Sequence, residues 1–195
     1  MGLPYEFLQW QEKLKAHKLP LWDELTDIEL YMDQVTGLLD KYLSVYVKEG
    51  ADKMISASMV NNYVKMGIIP PPVNKRYGKA QIAGLIMVLA LKQVLSMSEI
   101  KDLLEKKIQK HDISVVYNEF CAEQKSAYER MLSLCFGSEP LEELDSEALA
   151  FRMAILAMAG RSASAKILEI TNTTEETKRQ EVAAEEKAAK KAKKT

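Results

Sequence analysis

The sequence predicts an all-α fold with at most a small two-stranded wing around residues 69–78. Glycine and proline are scarce, at 8 and 6 of 195 residues, which favours long helices over frequent turns. Apolar residues recur at intervals of three and four along most of the chain, which is the spacing of one helix face. The exception is the segment 68–73, whose three prolines lack N–H donors and enforce extended backbone.

The N-terminal part of the chain is predicted to form two amphipathic helices. Residues 1–18 carry aromatic and leucine side chains on one side, and Pro20 is expected to end this first helix. Thr26 is the predicted N-cap of the second helix, because Glu29 follows three residues later and completes a capping box. A wide apolar stripe continues from there to Gly50, the expected end of this helix.

The middle of the chain is predicted to contain a short helix, a turn and a helix pair. Ser56 or Ser58 is the expected N-cap of the short helix, and Gly67 is its expected end. Residues 74–78 are predicted to form a turn. Residues 79–94 lack a polar face, so this helix should be buried on most sides. Ser96, with Glu99 three residues on, should cap a further helix that extends to about residue 110.

The C-terminal part is predicted to be a helical bundle followed by a charged tail. Helices are expected over 114–136, 147–159 and 163–170, with a break at Gly160-Arg161-Ser162. Asp145 or Ser146 is the expected N-cap of the second of these helices. From residue 171 onward almost all residues are polar or alanine, so a mobile tail is expected. The predicted organisation is therefore an N-terminal arm (1–25), a winged helix-turn-helix (26–110), a helical part (111–170) and the tail (171–195).

Several classes of function are disfavoured by what the sequence lacks. Cys121 and Cys135 have no CxxC spacing and are expected to be buried thiols, while His17 and His111 lack metal or triad spacing and are expected at the surface. Nucleotide-binding and hydrolase motifs are missing, so we expect neither an enzyme nor a cofactor. The longest apolar run, 82–91, is about half of a membrane span. We therefore expect a cytoplasmic protein that makes no membrane contact.

Charge is distributed unevenly although the whole chain carries a formal net charge of −1. Residues 51–110 contain ten basic and four acidic residues, a net charge of +6. Residues 1–50 and 111–170 carry net charges of −4 and −5. A basic middle between acidic flanks is typical of a region that meets phosphate, although scattered surface charge is an equally good explanation of these counts alone.

The short helix and the turn after it suggest a helix-turn-helix with a small wing. Its packed side would carry Met59, Val60, Tyr63 and Met66. Its polar side would carry short hydroxyl and amide side chains near the N-terminus, which are groups that can read base edges in the major groove. Lys75 and Arg76, on a loop stiffened by prolines, would contact the DNA backbone beside the groove.

This stretch, about residues 50–105, resembles the DNA-binding domain of the MerR-type transcription regulators. The matching residues are Val60, Tyr63, Gly67-Ile68-Ile69-Pro70, Arg76-Tyr77 and Leu95-Ser96-Met97-Ser98-Glu99-Ile100. The departures are Asn61 for the family's phosphate-binding arginine, Asn62 for its first tyrosine, Val64 for its glutamate and Val94 for its glycine. With residues 30–35 upstream, the chain looks like an uncharacterised bacterial family that joins a MerR-like domain to its own helical C-terminal part.

The resemblance implies a sequence-specific, dimeric regulator that binds double-stranded DNA. The predicted DNA-binding residues are Ser56, Ser58, Asn61, Asn62, Lys65, Lys75, Arg76 and Tyr77. Residues 114–170 would form a homodimer interface, a pocket for a small-molecule or protein effector, or both. The family's dimers use a long antiparallel coiled coil, but no sustained heptad of that length is visible after residue 110. The alternative is a protein-interaction adaptor that keeps the fold without reading DNA, which the loss of the arginine at Asn61 favours.

Overall fold

The computed structural model describes residues 5–46, 54–136 and 145–192 and confirms the all-α class. The described residues form seven α-helices: α1 Tyr5–Ala16, α2 Met32–Tyr42, α3 Ala57–Lys65, α4 Lys79–Leu91, α5 Met97–Lys110, α6 Ile113–Phe136 and α7 Ser146–Ala192. Two 3-10 turns lie at Trp22–Glu24 and Ser44–Tyr46. The chain divides into two compact units, Met1–Arg152 and Met153–Thr195. The domain boundaries given by the sequence remain predictions.

Helix α4 forms the centre of the first unit, as its lack of a polar face predicted. Every residue from 82 to 89 is buried. The helix packs against α2 and α6, which bury Val35, Leu39 and Val116 in the same core. Helix α4 ends at Leu91 rather than residue 94, because the chain tightens into a turn there: the N–H groups of Gln93 and Val94 donate to carbonyls three residues back, at 3.3 and 3.0 Å.

Helix α2 begins five residues later than the capping box at Thr26 predicted. Its N-cap is Tyr31, whose N–H donates to the side chain of Gln34 at 2.9 Å. The prediction was wrong because Leu30 pairs its N–H and carbonyl with Tyr77 at 2.9 Å each, which holds this segment extended. Thr26 instead accepts the N–H of Ile28 at 3.1 Å in a local turn. The helix also ends earlier than predicted: it stops at Tyr42, and a separate 3-10 turn follows at Ser44–Tyr46. Gly50, the predicted end, lies outside the described residues.

Helix α6 connects the N-terminal segment to the core. The Tyr117 hydroxyl donates to the Pro20 carbonyl at 2.9 Å, and Asn118 accepts the N–H of Trp22 at 2.9 Å. Cys121 and Cys135 are buried, as expected, and burial raises the pKa of each thiol. His17 was expected at the surface but is half-buried, because its ring packs edge-on against the aromatic rings of α6 and the second 3-10 turn.

Helix α7 differs from the predicted pair of short helices and tail. Asp145 accepts the N–H groups of Glu147 and Ala148 at 2.9 and 3.2 Å, which confirms the predicted cap. The helix then continues through Gly160 without the expected break and reaches Ala192. A single glycine costs a helix only about 1 kcal/mol, which the flanking alanine-rich turns offset. None of the helices in the described parts is long and apolar enough to cross a membrane.

Candidate nucleic-acid interface

Helix α3 begins at the serine that the sequence predicted. The Ser56 hydroxyl accepts the N–H of Met59 at 3.3 Å and lies 2.9 Å from the Ser58 hydroxyl. Ser56 is therefore the N-cap, and one of its oxygen lone pairs is already used within the helix. The Ser58 hydroxyl does not cap the helix, so it can form more hydrogen bonds to a bound partner than the Ser56 hydroxyl can.

The two faces of α3 differ in burial, largely as predicted. Val60 and Tyr63 anchor the helix in the core, at 0% and 5% exposure. Met59 is half-buried and Met66, expected on the packed side, is exposed. Five of the predicted DNA-binding residues share the exposed surface: Ser56, Ser58, Asn61, Asn62 and Lys65. Helix α3 therefore presents a continuous polar surface to solvent.

The predicted wing is a very tight hairpin. Val73 and Arg76 exchange both backbone hydrogen bonds, at 3.0 and 2.9 Å. Asn74 and Lys75 form its turn with φ of 50° and 63°, the left-handed region. Two consecutive left-handed residues are typical of a type I′ turn, which normally has glycine at the second position. The pairing consists of isolated bridges, and the described residues contain no strand.

Arg76 is held against a residue that sequence reasoning missed. Its guanidinium donates to the Tyr31 hydroxyl at 3.0 Å and lies 5.0 Å from the centre of that ring. This hydrogen bond raises the pKa of the arginine. Tyr31 is the N-cap of α2, so the contact fixes the hairpin to the start of that helix. With the N-cap at Thr26, the sequence predicts Tyr31 to lie inside the helix. Its contact with Arg76 joins residues 45 positions apart, so no local pattern in the sequence indicates it.

Tyr77 does not belong to the exposed surface. The residue is 2% exposed, and its backbone is paired with Leu30. Burial also raises the pKa of its hydroxyl. The prediction that Tyr77 contacts DNA is therefore corrected: its side chain is buried in the core and anchors the hairpin there. The neighbouring residues Lys75 and Arg76 are exposed.

The loop between α3 and the hairpin is fixed by the core. Gly67 takes a φ of 70°, and the N–H groups of Ile68 and Ile69 return to the Tyr63 carbonyl at 3.0 and 3.3 Å. The Ile69 side chain is buried against Gly84 of α4. Lys101 of α5 donates to the Met66 carbonyl at 3.1 Å. The hairpin therefore has a defined position relative to the end of α3.

The cations of this region differ in their availability. The Lys79 side chain is 17% exposed, and its Nζ atom lies 2.6 Å from a carboxylate oxygen of Asp27 and 5.6 Å from the centre of the Trp22 ring. These contacts stabilise the fold and leave Lys79 little available to a ligand. Lys65 and Lys75 are exposed, and within the described residues no ion pair engages either one. Lys65 at the end of α3, with Lys75 and Arg76 in the hairpin, therefore supplies the exposed positive charge of the candidate site.

A shallow groove of about 370 Å³ lies beside this surface. It is lined by Ile68, Lys101, Leu104, Glu105, Ile108 and Gln109. No group of three or more metal-binding side chains occurs in the portions of the chain that the structure describes.

Comparison with known proteins identifies the family. No curated protein and no solved structure matches this chain. One family model matches residues 20–130, which include α2 to α5, the hairpin and most of α6. The chain belongs to the family described as a domain of unknown function, DUF1836.

Proposed function

We propose that this protein is a sequence-specific DNA-binding transcriptional regulator that uses α3 and the hairpin. The observation that carries the proposal is the exposed polar surface of α3, which the buried residues Val60 and Tyr63 support from behind. A helix presented in this way can enter the major groove. The resemblance of residues 50–105 to MerR-type domains and the positive charge of the region support the same proposal.

The roles of the individual residues follow from their chemistry. Asn61 and Asn62 carry amides that can pair with adenine, and Lys65 can reach guanine or a phosphate. Lys75 and Arg76 carry charges that neutralise phosphates and orient the protein on the duplex. Asn61 is uncharged and would therefore bind a phosphate more weakly than the arginine of MerR-type proteins does. The hairpin must therefore supply more of the affinity.

The test is a salt titration of binding to random duplex DNA. We expect the wild-type chain to bind tightly at about 50 mM salt and to lose affinity steeply by about 200 mM. The double variant K75E/R76E should bind at least about tenfold more weakly and show a salt slope lower by about 2. The matched control K125E/R130E makes the same change of charge on exposed residues of α6 and should bind like wild type. Equal binding by wild type and K75E/R76E would contradict the proposal.

One observation favours the alternative, a protein-interaction adaptor. Ile28 and Val73 are 74% and 61% exposed; Val73 is itself a bridge residue of the hairpin, and Ile28 is two residues from Leu30, which bridges to Tyr77. Exposed apolar side chains are more typical of a protein contact than of a phosphate contact. The adaptor predicts no salt-sensitive DNA binding by the wild-type chain, and the I28S/V73S variant should lose its protein partner while K75E/R76E keeps it.

A further inference from the structure

Tyr31 is exposed although both its hydroxyl and its ring contact Arg76. The residue is 48% exposed. The Arg76 guanidinium donates to the hydroxyl at 3.0 Å and lies 5.0 Å from the centre of the ring. A tyrosine that supports a hairpin from the core buries its ring, as Tyr77 does at 2% exposure. The Tyr31–Arg76 pair therefore belongs to the outer surface of the protein.

Backbone pairing places the two side chains next to each other. Leu30 and Tyr77 exchange both backbone hydrogen bonds at 2.9 Å in an antiparallel bridge. In an antiparallel pair, the residue after one partner lies opposite the residue before the other. Tyr31 and Arg76 are these two residues. Their contact is therefore a fixed feature of the fold.

The hydrogen-bonding capacity left to the pair consists mainly of donors. The Tyr31 oxygen accepts from Arg76, so its own O–H proton remains to be donated. In the described parts of the chain no acceptor engages this proton. The guanidinium has several N–H groups and no acceptor, and Tyr31 takes up one of them. The pair is therefore suited to a ligand that accepts hydrogen bonds and carries negative charge.

The charges beside the pair also favour an anion. Lys75 precedes Arg76 in the hairpin and is exposed. The pKa of Arg76 is raised chiefly by its hydrogen bond to Tyr31 and to a smaller extent by the negative charge of Glu29. Glu29 is itself exposed, so water and salt screen its charge. The adjacent cations Lys75 and Arg76 therefore favour a negatively charged ligand over a neutral one.

We propose that Tyr31 and Arg76 form a clamp for one phosphate of the DNA backbone, in which the phenol and the guanidinium both donate to the phosphate oxygens. This rests on the proposed DNA binding and deepens it, because it adds a contact from the start of α2 to those of α3 and the hairpin. A charged donor releases counterions from DNA, whereas an uncharged phenol does not. Tyr31 should therefore contribute affinity without salt dependence, and Arg76 should contribute both.

A double-mutant cycle with the full chain and random duplex DNA at about 50 mM salt tests the clamp. We expect Y31F to bind about fivefold more weakly than wild type, with an unchanged slope of log affinity against log salt. R76Q should also bind about fivefold more weakly, but with a salt slope lower by about 1. In the R76Q background, Y31F should weaken binding by less than about twofold, because the phosphate is no longer held beside the hydroxyl.

The matched control is Y46F, which removes a hydroxyl that accepts from Gln124 of α6 at 2.6 Å instead of from the hairpin. Y46F should bind like wild type. Equal binding by Y31F and wild type would overturn the proposal. An equal loss from Y31F in both backgrounds would also overturn it, since two independent contacts do not form a clamp.

Fluorine NMR separates contact with DNA from support of the hairpin. With meta-fluorotyrosine in place of Tyr31, the fluorine resonance should shift on addition of duplex, whereas the same label in place of Tyr46 should not shift. The melting temperature of Y31F without DNA should stay close to that of wild type, because the ring remains over Arg76. A large fall in this melting temperature with no fluorine shift at position 31 would show that Tyr31 only supports the fold, and would overturn the proposal.

The same titrations distinguish failure of the clamp from failure of the DNA-binding proposal. If wild type binds duplex with a steep salt dependence and Y31F binds equally well, only the clamp is wrong. If wild type does not bind duplex at all, the DNA-binding proposal is wrong and the clamp is wrong with it.

Discussion

Lys75 combines an unfavourable backbone conformation with an exposed charge. Its φ of 63° disfavours any side chain with a Cβ atom, and glycine is the usual residue at this position of a type I′ turn. We expect K75G to stabilise the fold by about 0.5–1 kcal/mol, the relief of strain less the added freedom of glycine in the unfolded chain. The same variant should bind duplex DNA more weakly, because it removes a phosphate contact.

Thermal unfolding and DNA titration of K75G check this prediction together. The matched control is N74G at the other left-handed position, where asparagine is already tolerated. N74G should change the melting temperature and the DNA affinity less than K75G does. A K75G variant that binds DNA as wild type does would show that the lysine has no role in binding.

His17 makes the stability of the first unit depend on pH. Its Nε2 atom is buried without a hydrogen-bond partner in the described part of the chain, and its ring lies 6.4 Å from the rings of Tyr46 and Tyr128. Burial lowers the pKa of His17 below 6.5, so the folded state favours the neutral ring. The unfolded chain binds this proton more readily than the folded chain does. The free energy of unfolding should therefore be highest above pH 6.5 and decrease as the pH falls below it.

Urea unfolding at about pH 7.5 and about pH 5.5 measures this dependence. Between these two pH values the free energy of unfolding should decrease less in H17Q than in wild type, because glutamine does not titrate. H111Q replaces an exposed histidine and should behave like wild type. An equal drop in H17Q and wild type would exclude His17 as the source.

At the scale of elements, α2 and α4 show how two glycines in helices differ. Gly37 is exposed and has open space around it, so G37A should stabilise the protein by about 0.5–1 kcal/mol through helix propensity. A Cβ atom at Gly84 would lie 3.0 Å from the Ile69 side chain, which is buried and has little room to move. We expect G84A to destabilise by about 1 kcal/mol. Chemical denaturation of both variants checks the opposite signs, and stabilisation by G84A would contradict this packing.

Local signals in the sequence predicted the elements whose ends depend on local chemistry. Ser56, Ser96 and Asp145 are caps in the structure because each satisfies backbone N–H groups one turn ahead. The start of α2 could not be predicted in this way. It depends on the pairing of Leu30 with Tyr77, forty-seven positions along the chain, and that contact also buries Tyr77 and brings Tyr31 to Arg76. Of the candidate site, the polar surface of α3 and the buried side chains Val60 and Tyr63 behind it were predictable. The contacts of Tyr31 and Tyr77 that hold the hairpin were not.

At the scale of the whole molecule, the buried core lies within residues 1–152. Leu149 is the last buried residue in the described part of the chain. We expect residues 1–152 to fold alone, with a single urea transition whose midpoint matches that of the full chain. Loss of cooperative unfolding in the shorter chain would show that residues 153–195 belong to the same folding unit.

The most direct test of the central claim is selection of bound sequences from a random duplex pool by the full chain. We expect one motif to be enriched, as two half-sites about 34 Å apart if the protein binds as a dimer. N62A should change the preferred base at one position of each half-site while K75E/R76E weakens binding to all sequences. A pool that stays random after repeated selection at low salt would contradict the claim that α3 reads DNA.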